Sequence, residues 1–544
     1  MIYYKNNLTN KIVAGFNTGH HGGCAIIGKG KVVSISEERL NRQKYSDGYT
    51  QSLLYCLKAL KINLSDVDLF VSSSYHDRLP KNFVGDLESL GVSKDKCIQV
   101  DHHLSHAYST YFLSPFTKAL VLVIDGLGND TDTESYYIAQ DNQINQIGGN
   151  DPKRSMYKGI GRAYEVFTNY CGWSAQEAGK TMGLASYGKN KYPKVDLYKI
   201  NNNLQIQSLI EGKYFRGAES FVIKNKLNFG KPLSGFNNKD AAFFIQDRTE
   251  KIILELINRL YDKYKIPNLC LAGGVFLNSI INKKILDHTP IKNIFVPPCC
   301  DDTGQPLGNA LYGLHEHFGV KKIIRMKNAF LGRDYSKDEI LDVLNKKQKI
   351  YALPYHVKEK EIKYTKEINV AKKIAHLLSQ GKIVGLFNGA SEIGPRALGH
   401  RSIICAPYPA EMKDLLNSRI KHREFFRPFA PSVLLEYVAK YFYLNKPSPY
   451  MLLVAKAKEE AERKISAVLH VDNTSRIQTV STKDGLYYKI IKEFFKLTGI
   501  PVILDTSFND NGEPIVETPR DALSMFCKND LDYLVIEDYL ISKS

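Results

Sequence analysis

The 544-residue chain has no apolar run approaching the roughly 18 residues that cross a bilayer. Residues 1–10 are polar and lack the apolar stretch of a secretory leader. The expectation is a cytoplasmic protein with no membrane partner. There is no cysteine framework either: nine cysteines lie at irregular spacing, which excludes a disulfide-stapled fold and suits free thiols in a reducing compartment. No basic or acidic tail is present. Residues 1–355 carry 46 Lys and Arg against 34 Asp and Glu, and residues 356–544 carry 28 against 23, for a net charge of +17. So even a spread of charge is met by small phosphate-bearing molecules as well as by DNA or RNA. What remains, at 43% hydrophobic and 24% charged residues, is a globular protein of two or three domains.

The stretch from Asp101 to Asp130 organises the rest. His102 and His106 stand four apart in a segment that reads as a helix capped by Asp101, so both imidazoles project from one face. Ala119 to Ile124 reads as a buried strand that delivers Asp125 to its tip, beside the Gly126-Leu127-Gly128 loop. A second strand, Asn293 to Val296, breaks at Pro297-Pro298 and presents Cys299, Cys300, Asp301 and Asp302. Two histidines with one or two carboxylates suit iron, manganese or zinc. The histidine pair also suits a capped core pair, and Cys299 and Cys300 suit packing as well as ligation.

Strands are expected at Lys11–Asn17, Cys24–Ile27 and Lys31–Ser36, with Glu37, Glu38 and Arg39 closing the hairpin. The loop before the second strand holds His20 and His21 among glycines. A glycine loop between antiparallel strands thus occurs twice, near His20 and at Gly126–Gly128, as a duplicated actin or sugar-kinase type of α/β domain would have. Gly273-Gly274 after the strand Asn268–Ala272, with Asn278 in the following helix, forms an anion or nucleotide seat. Lys180, among glycines, is either a phosphate ligand or a solvated lysine. The junction falls in the charged region Ala329–Tyr364, giving domains 1–355 and 356–544, the second with its own α/β pattern. There Gly394–Ser402, Lys421–Phe429, His470–Arg476 and Thr506–Asn509 hold arginines among glycines, prolines and aromatics, which suits a pocket for phosphoryl groups.

From residue 11 to about 538 the chain resembles the O-carbamoyltransferases of the NodU and TobZ type. HHLSHA, the strand-end DG, EAGKTMGLASYG, LAGGVFLN, DDTG, GPRALGHRS, KHREFFRPFAPS, HVDNTSRIQTV and TSFN carry the likeness in order. The resemblance implies an actin-like domain, like that of the threonylcarbamoyl-tRNA enzymes, fused to a YrdC-like domain. It implies that the latter condenses ATP, with Mg2+, and carbamoyl phosphate to carbamoyl adenylate on Lys421, Arg427, Arg476, Ser507 and Asn509. It further implies iron (Fe2+) on His102, His106, Asp125 and Asp302, nucleotide binding by Gly126, Lys180, Gly273, Gly274 and Asn278, and His20 as general base on a small-molecule hydroxyl acceptor. A homodimer is the family habit. The alternative is carbamoylation or threonylcarbamoylation of tRNA or another nucleic acid, which the sequence does not favour. Two departures stand out: His21 where an Asp is common, and Asp505 where an Asn is common. An ionised Asp505 would disfavour nearby phosphates.

Overall fold

The structure, a computed structural model, describes residues 10–543 apart from 75–80, 130–131, 152–157, 212–220, 224–226, 230–237, 323–324, 347, 353–355 and 361. Two compact units form: an N-terminal one of residues 2–34 and 47–327, and a C-terminal one of residues 35–46 and 328–544.

The N-terminal unit contains two five-stranded sheets. The first is built from β1 (Val13–Asn17), β2 (Gly23–Gly28), β3 (Lys31–Ser36), β4 (Leu69–Ser74) and β5 (Cys97–Asp101), in the order β3-β2-β1-β4-β5. The second uses β6 (Lys118–Ile124), β7 (Glu134–Gln140), β8 (Gln143–Gly149), β9 (Asn268–Ala272) and β10 (Asn293–Phe295), in the order β10-β9-β6-β7-β8. Each first strand pairs antiparallel with the next and parallel with the strand reached by a crossover. The two sheets share one topology, the duplication expected of an actin-like fold. β6 reads KALVLVI and is buried beyond Lys118, as a central strand covered on both faces requires.

Four helices matter for the chemistry: α1 (His102–Tyr111), α2 (Ile160–Tyr170), α3 (Lys239–Tyr264) and α4 (Ser279–His288). A fifth, α5 (Gln305–Tyr312), lies on α1 and β1 at backbone contact. A Cβ on Gly308 would fall 2.2 Å from the Ser105 carbonyl, and one on Gly15 would fall 2.0 Å from that of Pro306. Any larger residue at either position would push α5 off its seat.

The C-terminal unit is a nine-stranded mixed sheet. Its strands are β11 (Ile362–Lys366), β12 (Val384–Phe387), β13 (Arg401–Cys405), β14 (Ala430–Leu434), β15 (Leu453–Lys456), β16 (Thr474–Val480), β17 (Val502–Ser507), β18 (Tyr533–Ile536) and β19 (Tyr539–Lys543). Their order is β11-β19-β18-β12-β13-β17-β14-β16-β15. Helices α6 (Val370–Ser379) and α7 (Gly485–Thr498) pack together.

Two details differ from the sequence reading. The compact units divide at Lys327/Asn328, not at 355/356. Ala329 joins a buried cluster with Leu398, Ala430 and Met451, and Phe330 stacks on His400 with ring centroids 3.4 Å apart. Nor do Glu37, Glu38 and Arg39 close a hairpin; they open a short helix, Glu37–Asn41. Its Arg39 is buried and donates to the Gly394 carbonyl at 2.7 Å, while Arg42 donates to the carbonyls of Pro514 and Ile515 at 2.7 Å each. These bonds tie residues 35–46 to the C-terminal unit.

Candidate functional site

In the N-terminal unit, Asp101 caps α1 by accepting from the Leu104 N–H at 2.8 Å, which sets the helix start so that His102 and His106 face the same way. Asp125 leaves the tip of β6, and its Oδ1 accepts from the Gly274 N–H at 2.9 Å. Gly273 makes this turn possible: its φ is +95°, and a Cβ would lie 2.1 Å from the Ile124 carbonyl. Asp302 starts the turn that leads into α5. Sequence positions 200 apart thus meet: ligand-type atoms of His102, His106, Asp125 and Asp302 all lie within 4.8 Å of one another, and all four residues are buried.

The spacing inside this cluster is informative. His102 Nε2 lies 3.3 Å from both Asp125 Oδ2 and Asp302 Oδ1, and His106 Nε2 lies 3.4 and 3.3 Å from the same two oxygens. Both ring nitrogens of His106 are buried without a well-formed hydrogen bond among the described residues. Two ligands held about 2.1 Å from one ion at a tetrahedral angle stand about 3.4 Å apart. The donor set therefore fits a divalent metal better than it fits direct hydrogen bonds. Electrostatics agree: burial opposes a charge on His102, but Asp302 and Asp125 overcome it and raise the imidazole to about 10. Against the same burial, the histidines hold both carboxyls well below the usual carboxylate range. The third histidine, His103, turns away to Ser135 Oγ at 2.8 Å; burial, then His102, pushes it down to about 3. Cys299 and Cys300 are buried outside the cluster.

His20 lies at the edge of this centre, its side chain 46% exposed and its Nε2 3.0 Å from Asp302 Oδ2. That contact raises its basicity. The sequence reading missed Arg162 and Glu165, paired at 2.6 Å on α2. A Cβ on Gly126 would fall 2.6 Å from Glu165 Oε1, so this carboxyl covers the glycine loop beside Asp125, and burial holds it above the ordinary range. Nothing in the helical spacing of 159–171 marks them. Asn278 caps α4 and exchanges hydrogen bonds with Gln246 of α3, at 2.8 Å from its Nδ2 and 3.3 Å to its Oδ1. Lys180 is paired with Glu177 at 2.6 Å and lies over the Trp173 ring.

The C-terminal unit has its own polar centre. Lys421 is 4% exposed, and its Nζ donates to the Ser507 carbonyl at 2.8 Å and to the carbonyl and Oδ1 of Asn509 at 2.8 and 2.7 Å. Ser507 Oγ donates to Asn509 Oδ1 at 2.6 Å, completing the knot. No carboxylate touches Lys421 among the described contacts. Burial, then Arg423 and Arg427, pushes its ammonium well below the ordinary lysine range. Arg476 is depressed in the same way, by burial and then by Arg396, Arg423 and Arg427, and its Nε is buried without a partner among the described residues. Arg423 lies over the Phe429 ring at 4.2 Å and falls to about 9. Among the described residues Arg427 pairs with Glu424 at 3.6 Å. Four guanidiniums and an ammonium crowded this way would suit an anion. Arg396 and Arg423 lay within the quoted motifs yet were not singled out. Arg401 of the same motif is structural, stacked 3.4 Å over Phe387 and donating to three backbone carbonyls.

An α/β protein with a carboxylate-imidazole cluster in one unit and an arginine-lined anion seat in the other has the makings of a group-transfer enzyme. Comparisons with known proteins give the group. Residues 78–311 match the model of the carbamoyltransferase N-terminus, and residues 375–543 that of the carbamoyltransferase C-terminus. The protein sll1178 of Synechocystis is 34% identical over 96% of this chain and 95% of its own length. The nodulation protein NolNO of Sinorhizobium fredii is 33% identical over 97% of this chain and 80% of its own. The crystal structure of T. kodakarensis HypF aligns with a TM-score of 0.39 at 14% identity, over 59% of this chain and 49% of that one. The chain belongs to the carbamoyltransferase family and is a carbamoyltransferase.

Proposed function

We propose that the enzyme is an ATP-dependent O-carbamoyltransferase that makes carbamoyl adenylate in its YrdC-like C-terminal unit and uses it in its actin-like N-terminal unit. In the first step carbamoyl phosphate loses phosphate to water. The resulting carbamate oxygen attacks the α-phosphorus of ATP, carried with Mg2+, and pyrophosphate leaves. Arg427, Arg476 and Lys421 offset the phosphoryl charges, while Ser507 and Asn509 hydrogen-bond the carbamoyl group. The observation that carries this reading is Lys421, buried with Ser507 and Asn509 and acted on by Arg423 and Arg427 more strongly than by Asp510.

In the second step an acceptor hydroxyl attacks the carbamoyl carbon, and AMP leaves. His20 takes the hydroxyl proton on Nδ1 while Asp302 holds Nε2 in place. Gly126, Gly273, Gly274 and Asn278 line the turns where the nucleotide is held, and Lys180, engaged by Glu177, borders the same unit. His102, His106, Asp125 and Asp302 would hold a divalent metal, iron by resemblance, which when bound supplies positive charge for the departing phosphate. No helix among the described residues is long and apolar enough to cross a membrane, and all nine cysteines are free and buried, in keeping with a cytoplasmic enzyme.

The test is incubation of the enzyme with ATP, carbamoyl phosphate, Fe2+ and a panel of sugars, nucleotides and other hydroxyl compounds. One compound gains a carbamoyl mass, and AMP and pyrophosphate appear in step with it. AMP release that requires threonine and tRNA instead would move the acceptor to nucleic acid. Light scattering of the same sample reads the expected homodimer.

A further inference from the structure

Behind the anion seat lies a carboxyl that the two steps leave unused. Asp505 on β17 is 1% exposed. Its Oδ2 accepts from Tyr487 Oη at 2.6 Å and Ser402 Oγ at 3.1 Å, with Ser432 Oγ at 3.4 Å. Its Oδ1 is buried with no hydrogen-bond partner among the described residues. A fully buried carboxyl with one saturated and one vacant oxygen demands an explanation.

The strand register says which side chains share its face of the sheet. Asp505 stands opposite Ala430 of β14 and Ile404 of β13, and Ser507 stands opposite Ser402. Gln478 of β16 stands beside Ser432 of β14. Partners in register share a sheet face, as do residues two apart on one strand. Arg476, Ala430, Asp505 and Ser507 therefore line one face, and only the methyl of Ala430 occupies the row between Arg476 and Asp505. Ser507 is bonded to Lys421. Asp505 is the floor of the anion seat.

We propose that Asp505 is held as the neutral acid and donates a hydrogen bond from its Oδ1 hydroxyl to the anion that Arg476, Ser507 and Lys421 receive. This deepens the proposed function and rests on it for the identity of the anion, carbamoyl phosphate. A carboxylate there would repel the phosphate, whereas a carboxylic acid gives it a charge-assisted bond. The surroundings keep the proton on. Burial raises Asp505 to about 8 in spite of the Tyr487 and Ser402 hydroxyls, with Glu392 adding to the rise. The other ionisable groups facing it are Arg476 from β16 and Tyr487 from α7; burial, then Asp505, keeps the tyrosine protonated.

Two readouts test this on the full chain: the KM for carbamoyl phosphate in AMP formation, and the calorimetric affinity for inorganic phosphate, each between pH 6.5 and 9.5. Expected for the native enzyme is a loss of affinity that steepens to about tenfold per pH unit above pH 8. Asp505→Asn, whose amide donates without titrating, holds its affinity across the range relative to the native enzyme. Asp505→Ala, with no donor, binds at least tenfold more weakly at pH 7. An infrared band of a protonated carboxyl, present in the native enzyme and missing from Asp505→Asn, gives the state directly even where the variants fold poorly. Equal pH dependence of native enzyme and Asp505→Asn, or no such band, overturns the proposal. Phosphate binding that follows the expected pattern without any carbamoyl-phosphate-dependent AMP leaves Asp505 as inferred and sinks the functional reading instead.

Discussion

Asp302 holds His20 by one carboxylate oxygen, 3.0 Å from Nε2, while its other oxygen lies 3.3 Å from both His102 and His106. One side chain thus links the group assigned to proton removal with the buried cluster. His20→Asn keeps a hydrogen bond to Asp302 but removes the base. Carbamoyl-phosphate-dependent pyrophosphate release should continue at its native rate, while carbamoyl transfer falls by about 10²–10⁴-fold. Assaying the two products separately checks this, and equal losses in both would remove His20 from the role.

The cluster should bind metal and be stabilised by it. Native protein loaded with Fe2+ should carry close to one ion per chain by elemental analysis and should melt higher than after chelation, since a ligand bound only by the folded state raises its stability. His106→Ala removes a fully buried ligand and should abolish both the stoichiometry and the shift. Full iron content in that variant would contradict the assignment.

Lys421 should hold its proton more firmly when its anion arrives. In the free protein burial, then Arg423 and Arg427, depress its ammonium; a bound phosphate reverses that depression. Calorimetry of carbamoyl phosphate binding at pH 8–9, in buffers of different ionisation enthalpy, should report net proton uptake by the native protein and less uptake by Lys421→Met. Uptake that is the same in both would place the proton elsewhere.

Asp505 also makes a prediction about stability. Its folded value is raised to about 8, above the unfolded carboxyl near 3.9. Between about pH 4 and 8 the folded state therefore holds a proton that the unfolded state has released, and stability falls as pH rises through that window. Asp505→Asn lacks this slope. Its melting temperature relative to the native protein should rise from pH 5 to pH 8, as thermal scans at both values would show.

How much of this was legible beforehand depended on whether the signal was local. The HHLSH helix face, the Asp125 strand tip and the Asp302 strand break are each local patterns, and the fold brings them to one point. The repeated glycine loops did announce two sheets of one topology. The hand-over of residues 35–46 to the C-terminal unit was not legible, because Arg39 and Arg42 are anchored by backbone carbonyls more than 350 positions away, and carbonyls leave no mark in a sequence. The departure at Asp505 is legible in the sequence, but its burial among the hydroxyls of Tyr487 and Ser402 is not, because those partners come from other elements. Arg401 and Arg476 look alike in composition, yet Arg401 stacks on Phe387 and donates to backbone carbonyls, while Arg476 is crowded by Arg396, Arg423 and Arg427.

The claim on which the account rests is that the C-terminal arginine seat builds the carbamoyl donor. Its most direct measurement is AMP and pyrophosphate release from ATP and carbamoyl phosphate by native enzyme and by Arg476→Ala, with folding of the variant verified by its melting curve. Release should depend on carbamoyl phosphate in the native enzyme and fall by about 10²-fold or more in the variant. Native-level release by a folded Arg476→Ala protein would contradict it.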